Sequence, residues 1–181
     1  MADARIACRI CRAKGETPMN CRTDKSMYAP NETVCVYVDG LPAETVSLRL
    51  ILSHLEKTVL TEEIAAAERF SLLPPAKDGK GYLLEVQALD PDKALLADAF
   101  TAIDVSSAWT RFPRYGYVWD FTPGVDAQAK IETLCRFHIN GLQFYDWQYR
   151  HHRPVADDTS VWKDWSGRTV SGDAVRAYLS A

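Results

Sequence analysis

The residues best suited to chemistry form one short run near the carboxyl end of the sequence. Residues 146–153, Asp-Trp-Gln-Tyr-Arg-His-His-Arg, mix aromatic faces with hydrogen-bonding heads. A sugar presents apolar C–H faces together with dense hydroxyl groups, so aromatic rings can pack against the first while Asp, Arg and His bind the second. A phosphate site would instead favour glycines at the amino end of a helix. The run therefore predicts a carbohydrate cleft, in which Asp146 either contacts the ligand or makes a structural hydrogen bond to its loop.

Two other groups of residues have side chains that ligate metals. Cys8 and Cys11 form a Cys-x-x-Cys pair, but a structural zinc site usually needs four ligands and no second pair follows at suitable spacing. Residues 1–20 are therefore expected to be a disordered leader, with a zinc site as the alternative. The adjacent His151 and His152 point in different directions on most backbones, which argues against a metal pair. The sequence predicts no metal site and no cofactor.

The run of residues 146–153 follows a segment whose apolar period changes from strand to helix and back. Residues 114–119 form a compact aromatic strand, and Thr122 followed by Pro123 predicts the start of a helix. Asn140-Gly141 is expected to end that helix with a left-handed C-cap. The next strand, 142–145, is nearly all apolar, as expected when both faces are covered. The face of the predicted helix consists of Ala127, Ile131, Leu134, Cys135 and His138.

A loop of about 25 residues follows this strand, and a second helix then begins with Ser171 as its N-cap. The apolar face of that helix, Val175, Tyr178 and Leu179, has no following element to cover it. The order strand, helix, strand, loop, helix predicts a parallel sheet. In a (β/α)8 barrel the functional groups gather at the carboxyl ends of the strands, where the polar run lies. Residues 108–181 are therefore predicted to be the start of a truncated (β/α)8 TIM barrel.

The first half of the chain is predicted to be an all-β immunoglobulin-like sandwich that spans residues 21–107. Apolar residues alternate with polar ones at 46–52 and again at 82–89, and turn residues lie between these runs. Residues 95–103 suit a helix by composition, but we predict a strand because they follow a tight turn after a strand. Residues 61–69 are helix-like and fit the sandwich least well.

Composition limits the class of protein. The chain has 181 residues, of which 47% are hydrophobic and 25% charged, and a formal net charge of −3. These values are typical of a folded protein and argue against nucleic acid as a partner. No apolar run approaches the ~18 residues of a membrane span, and no signal peptide is visible. Fourteen of the nineteen aromatic residues, including all five Trp, lie in residues 108–181, which marks that part as a separate unit.

Several stretches of the sequence resemble a known enzyme family, including residues 24–38, residues 165–168 and the helix start at Ser171. Residues 105–117, Val-Ser-Ser-Ala-Trp-Thr-Arg-Phe-Pro-Arg-Tyr-Gly-Tyr, resemble the entry to the catalytic barrel of glycoside hydrolase family 66. Residues 138–154, His-Ile-Asn-Gly-Leu-Gln-Phe-Tyr-Asp-Trp-Gln-Tyr-Arg-His-His-Arg-Pro, are similar to the most recognisable amino-terminal motif of the same family. That family contains dextranases and cycloisomaltooligosaccharide glucanotransferases, and the resemblance covers about residues 22–181.

The resemblance implies a parent enzyme that acts on α-1,6-linked glucan, or dextran, with the rest of its own barrel as a structural partner. It implies a retaining mechanism, in which one carboxylate is the nucleophile and a second carboxylic acid assists. In this family both groups lie on later barrel strands, so no catalytic residue is assigned here and the fragment is expected to be inactive. The alternative function is a non-catalytic glucan-binding or structural support module.

The resemblance further implies that this chain carries the first part of the donor-sugar pocket. It also implies an extracellular enzyme, although no signal sequence is visible. The candidate substrate contacts are Asp146, Trp147, Tyr149 and His151.

Overall fold

The computed structural model of the protein describes residues 18–156 and 159–181, and its first unit is a β-sandwich. One sheet has the strand order β1-β2-β5 and the other the order β4-β3-β6-β7, and all pairings are antiparallel. The prediction of a sandwich is therefore confirmed. The strands are β1 (Asn20–Thr23), β2 (Val34–Asp39), β3 (Ser47–His54), β4 (Lys57–Ala65), β5 (Arg69–Leu72), β6 (Lys80–Leu89) and β7 (Leu95–Val105).

The two sheets enclose one hydrophobic core. Leu48, Leu50 and Leu52 alternate along β3 and are buried, and they face Val34 and Val36 of the opposite sheet within the same cluster. Each apolar side chain of this size contributes about 1.5–3 kcal/mol when it is fully buried. The period-two pattern therefore selects which face of each strand points inward.

Two expectations for this unit have different outcomes. The strand predicted at 95–103 lies within β7 and is confirmed. The helix-like character of 61–69 is misleading, because 57–65 is strand β4 and a short turn leads from it to β5. Pairing with β3 turns Leu60 and Ile64 toward the core, and this packing outweighs the helix propensity of the local Glu and Ala residues.

The amino-terminal end of the sandwich reaches into the predicted leader. Residues 1–17, and with them Cys8 and Cys11, lie outside the described residues. Met19 is buried in the sandwich core and Asn20 begins β1. Cys21 is also buried, and burial raises the pKa of its thiol to about 12, so this cysteine is a structural apolar residue.

The second unit contains the predicted order of strand, helix and strand. Its first two strands, β8 and β9, pair in parallel from Tyr115 opposite Gly141 to Val118 opposite Phe144, as expected. The predicted loop of about 25 residues holds an antiparallel hairpin, β10–β11. The elements are β8 (Tyr115–Val118), α1 (Ala127–Arg136), β9 (Gly141–Phe144), β10 (Val161–Lys163), β11 (Thr169–Ser171) and α2 (Gly172–Ser180).

Both predicted ends of helix α1 are wrong by a few residues. Asp126 is the N-cap, and its side chain accepts a hydrogen bond from the amide of Ala129, while 122–125 forms a turn. At the other end, His138 adopts the left-handed conformation with φ of 55°. The amides of His138 and Ile139 donate to the carbonyls of the last turn in the pattern of a Schellman motif. The Asn140-Gly141 pair therefore does not cap the helix.

Asn140 instead fastens the start of the parallel pair, an arrangement we call the Asn140 clamp. Its side-chain amide donates to the carbonyl of Phe112 at 2.8 Å, and its side-chain oxygen accepts from the amide of Arg114 at 3.0 Å. Arg114 also forms an ion pair with Asp104, which is buried at the end of β7. The clamp fastens the segment before β8 to the residue before β9, and the ion pair connects this point to the sandwich.

The second unit has its own hydrophobic core. Phe121 lies at its centre, with ring centroids 5.5 Å from Phe144 and 5.6 Å from Tyr178. Ser171 caps helix α2 as predicted, since its hydroxyl accepts from the amide of Ala174. Of the apolar face expected on α2, Tyr178 and Val175 are buried and Leu179 is exposed.

One face of the β8–β9 pair packs on this core and the other is open. Val118 and Phe144 point to the core, whereas Tyr115, Tyr117 and Trp119 alternate onto the opposite face and are exposed. Within the described residues, no other strand pairs with β8 or β9. In the part of the chain that the structure describes, neither helix has the length and hydropathy required to cross a bilayer.

Candidate functional site

The carboxyl ends of β8 and β9 meet the β10–β11 hairpin at one edge of the second unit. Asp146 lies two residues after the end of β9 and adopts a left-handed backbone conformation with φ of 52°. A short polar side chain tolerates this conformation better than a bulky one. The Asp146 carboxylate is 22% exposed and lies 3.3 Å from Nη2 of Arg168, at the end of the hairpin turn. The sequence left open whether Asp146 contacts the ligand or its own loop. The structure shows a contact to the loop, through Arg168.

Arg168 is held by a second carboxylate, Asp164, whose side chain has no exposed surface. The Arg168 Nε donates to one Asp164 oxygen at 2.7 Å, while the other oxygen accepts from Ser166 and from the Arg168 amide. Burial alone raises the pKa of a carboxyl group, but these hydrogen bonds outweigh it and hold the pKa of Asp164 at about 2. Asp164 therefore remains ionised and anchors the arginine.

A cleft of about 440 Å³ opens beside this cluster. This volume lies within the range of small-ligand pockets. One wall is the tight turn of residues 150–153, which two hydrogen bonds between the main chains of Arg150 and Arg153 close. The other wall is the hairpin, on which the ring of Trp165 is 72% exposed. The lining residues are Gln148, Tyr149, Arg150, His151, His152, Lys163, Asp164 and Trp165.

The four candidate contacts do not all meet in this cleft. Tyr149 and His151 line it, and Asp146 is joined to its wall through Arg168 and Asp164. Trp147 packs against the core of the second unit and lines a different cavity, beside α2. Its carbonyl accepts a hydrogen bond from the indole of Trp162, which keeps this segment close to the core. The structure thus directs the Trp147 ring away from the cleft.

Several residues of this site are not among the substrate contacts that the sequence reading assigned. Trp165 and Lys163 line the cleft, and Arg168 joins Asp146 to Asp164. Trp119 also belongs to this edge, because the guanidinium carbon of Arg168 lies 6.0 Å from its ring centroid. A usable signal was the Asp-x-Ser-Gly-Arg spacing at 164–168, in which a glycine in left-handed conformation lets the turn close onto its own aspartate.

The cleft combines aromatic rings with polar and charged hydrogen-bonding groups. Its rings offer apolar faces, and its amide, imidazole and ammonium groups offer hydrogen bonds to hydroxyl groups. Within residues 18–156 and 159–181, no group of three or more His, Cys, Asp or Glu side chains is placed to hold a metal ion. The arrangement is able to bind a polyhydroxylated ligand between an aromatic wall and a polar one.

Comparisons with known proteins agree with this geometry. Two cycloisomaltooligosaccharide glucanotransferases of Niallia circulans are 32% and 30% identical to this chain over 179 aligned residues. Those alignments cover 88% of this chain and 18% of each relative, so the chain spans about a fifth of their length.

A solved structure also matches. It is the crystal structure of a cycloisomaltooligosaccharide glucanotransferase from Paenibacillus sp., complexed with cycloisomaltoheptaose. The identity is 33% and the TM-score is 0.75, and the match covers 88% of this chain and 25% of that chain. The sequence model of glycosyl hydrolase family 66 matches residues 23–181. This range begins at the last residue of β1, includes every later element of both units and ends one residue after α2. With both units inside that match, the chain belongs to glycosyl hydrolase family 66.

Proposed function

We propose that this chain is part of an enzyme that hydrolyses or transglycosylates α-1,6-linked glucan, and that it contributes the first part of the glucan-binding cleft. The observation that carries this proposal is the solved relative, which holds cycloisomaltoheptaose and shares 33% identity and a TM-score of 0.75 with this chain. Cycloisomaltoheptaose is a ring of α-1,6-linked glucose units, so it identifies the class of ligand to test.

The composition of the cleft supports a sugar ligand. Trp165 presents a broad exposed ring, and Tyr149 and His151 lie across from it on the turn. An aromatic face packs well against the C–H face of a glucose ring, while the polar rim binds its hydroxyl groups. Asp146 is proposed as a further contact, because its carboxylate accepts hydrogen bonds and lies at the carboxyl end of a parallel strand.

We propose that residues 108–181 form the first two βα units of a (β/α)8 barrel, and that the preceding sandwich is immunoglobulin-like and supports it. The parallel β8–β9 pair favours this fold, as does its open aromatic face, which would face the barrel interior. A groove of about 490 Å³ lies along the side of β8 away from β9, between that strand and α1. A further strand and helix of the barrel would cover this groove. The relatives supply enough additional chain for the remaining units, since this chain covers 25% of the solved one.

We further propose a retaining mechanism whose two carboxyl groups lie in barrel strands that follow this chain. A retaining glycosidase needs a nucleophile and an acid about 5–5.5 Å apart. Both carboxyl groups have to be free of other strong contacts so that they can react. Here Asp164 is buried and fully hydrogen-bonded, and Asp120 is held by Lys130 at 2.6 Å. The chain alone is therefore expected to bind glucan without cleaving it. Because dextran is an extracellular polymer, we propose that the enzyme acts outside the cell.

The proposal is tested by titrating the 181-residue chain with cycloisomaltoheptaose and following its backbone amides by NMR. We expect saturable shifts confined to 146–153 and 163–168, and no release of reducing sugar from dextran. Trp165→Ala is expected to weaken binding about tenfold, which corresponds to a loss of about 1.4 kcal/mol from the contact between the indole and the apolar face of a sugar ring. Phe137→Ala is the matched control, since that ring is also 72% exposed but lies at the other end of the strands.

Three results would contradict the proposal. Cleavage of dextran by this chain would place catalytic carboxylates within it. Saturable binding with shifts confined to the sandwich would favour the alternative of a non-catalytic binding module. The absence of any binding at millimolar ligand would remove the cleft from glucan recognition.

A further inference from the structure

Arg168 lies between two carboxylates that come from different segments. Its Nε donates to Asp164, four residues earlier in the same hairpin, and its Nη2 faces Asp146, just after β9. We propose that Arg168 is a positioning residue, which holds the Asp146 carboxylate in one orientation for glucan binding. This inference deepens the function proposed above and rests on it.

The arginine is itself rigid, which a positioning residue requires. The main chain of the hairpin turn closes twice, from the Asp164 amide to the Arg168 carbonyl at 3.0 Å and from the Gly167 amide to the Asp164 carbonyl at 3.1 Å. The Asp164 carboxylate then accepts both the amide and Nε of Arg168. The turn therefore fixes the guanidinium before any ligand arrives.

Asp146 has no comparable support of its own. Within the described part of the chain, the ion pair with Arg168 is the one polar contact of the Asp146 side chain. Nη2 of Arg168 is buried, and the 3.3 Å contact is not a well-aligned hydrogen bond, so the carboxylate keeps its lone pairs for another donor. Without Arg168, Asp146 would be free to rotate about its side-chain bonds.

The guanidinium also has an aromatic neighbour that restricts where the pair can move. Trp119 directly follows β8, the first strand of the parallel pair, and its ring centroid lies 6.0 Å from the Arg168 guanidinium carbon. The planar cation is attracted to the ring face at this distance. Arg168 thus ties together the carboxyl ends of both parallel strands and the hairpin that borders the cleft.

A purely structural role of Arg168 would have different consequences from a positioning role. If Arg168 only closed its own hairpin, its loss would loosen residues 163–169 and leave the Asp146 side chain as it is. The two roles are separated by a readout on Asp146 that involves no ligand, namely its three-bond Hα–Hβ couplings measured by NMR. A fixed rotamer gives either one large and one small coupling or two small ones, whereas an averaged side chain gives two intermediate values.

The experiment compares Arg168→Gln and Arg168→Lys with the unaltered 181-residue chain. We expect both variants to average the Asp146 couplings, because lysine keeps the charge but lacks the fork that reaches two carboxylates. The lysine variant also keeps the test valid if the glutamine variant fails to fold. Arg176→Gln is the matched control, since its ion pair with Asp173 at 2.5 Å lies on the exposed side of α2, and its Asp146 couplings are expected to be unchanged.

Affinity for cycloisomaltoheptaose supplies the second readout. Arg168→Gln and Asp146→Asn are each expected to weaken binding about tenfold, and the double variant is expected to bind no more weakly than Asp146→Asn alone. Unchanged Asp146 couplings in both Arg168 variants, or losses that multiply in the double variant, would overturn the positioning role. If the unaltered chain does not bind the ligand, the proposed function fails instead, and the couplings still decide the role of Arg168.

Discussion

Replacing Phe121 by alanine should strongly destabilise the second unit while it leaves the stability of the sandwich nearly unchanged. Phe121 is 1% exposed and contacts the rings of Phe144 and Tyr178, each about 5.5 Å away by centroid. The buried residues around it form a cluster separate from the sandwich core. Deletion of this ring therefore opens a cavity in one core only.

The magnitude follows from the size of the ring and of the unit. A buried Phe→Ala change costs about 3–5 kcal/mol, and the two lost ring contacts put Phe121 near the upper end of that range. A unit of roughly 70 residues has a free energy of unfolding of roughly 4–10 kcal/mol. With a urea m-value of about 1–2 kcal/mol/M, the unfolding midpoint should fall by roughly 2–4 M.

The distribution of aromatic residues provides the assay. All five Trp lie between residues 109 and 165, so tryptophan fluorescence reports the second unit, whereas the backbone amide NMR signals of strands β3 and β6 report the sandwich. The expected result is a large drop in the fluorescence midpoint and a nearly constant midpoint for the β3 and β6 amides. Phe137→Ala is the control, because an exposed ring in the same unit should change stability by about 0.5 kcal/mol or less.

Two outcomes would refute this reasoning. If both midpoints fell by the same free energy, the two clusters would form one cooperative core. If the fluorescence midpoint of Phe121→Ala matched that of Phe137→Ala, Phe121 would not be the centre of the second core.

Two further predictions concern single groups of the second unit. Because the pKa of Asp164 is held near 2, below its ordinary 3.8, the stability advantage of the unaltered chain over Asp164→Asn should be full above about pH 4 and shrink as the pH falls toward 2. Urea midpoints measured at pH 2.5 and pH 6 check this, and equal differences at both would contradict it. Gly116→Ala should destabilise the unit by about 1–3 kcal/mol, because the added Cβ would lie 2.9 Å from Cγ2 of Ile139. Gly167→Ala meets no neighbouring atom and should cost only the strain of its left-handed backbone, about 1–2 kcal/mol, so a larger loss there than at Gly116 would count against this explanation.

Local pattern predicts the parts of the fold in which the spacing of apolar residues is also the spacing of the side chains that pack in the core. The alternation of Leu48, Leu50 and Leu52 gave the strand because the same period decides which side chains reach the core. The start of helix α1 shows the limit of such reasoning. Thr122 and Pro123 carry a good helix-start signature, but the Thr122 hydroxyl bonds Asp120 at 2.7 Å and is not available as a cap.

The sequence predicts the edge of the sheet at which the polar run lies, but not the contacts that its side chains make. The polar run after β9 does border a cleft, because side chains at the carboxyl ends of parallel strands share one edge of the sheet. The contact between Asp146 and Arg168 joins residues 22 positions apart through a hairpin that the sequence reading treated as a loop. The direction of the Trp147 ring depends on which cavity the neighbouring core leaves open, and no local pattern encodes that.

The Asn140 clamp has a consequence for how a complete barrel would close. A barrel of a given strand number closes only at one stagger between its first and last strands, and each strand takes its stagger from the one before. The clamp fixes the first parallel pair at its amino end, with one amide side chain bonded to both Phe112 and Arg114. A slip of one residue there would exchange the sides of Tyr117 and Val118, and every later strand would inherit the error. In the proposed barrel, the asparagine beside the sandwich therefore fixes the register of the first strand pair, which is one of the staggers that add up to the shear of the ring.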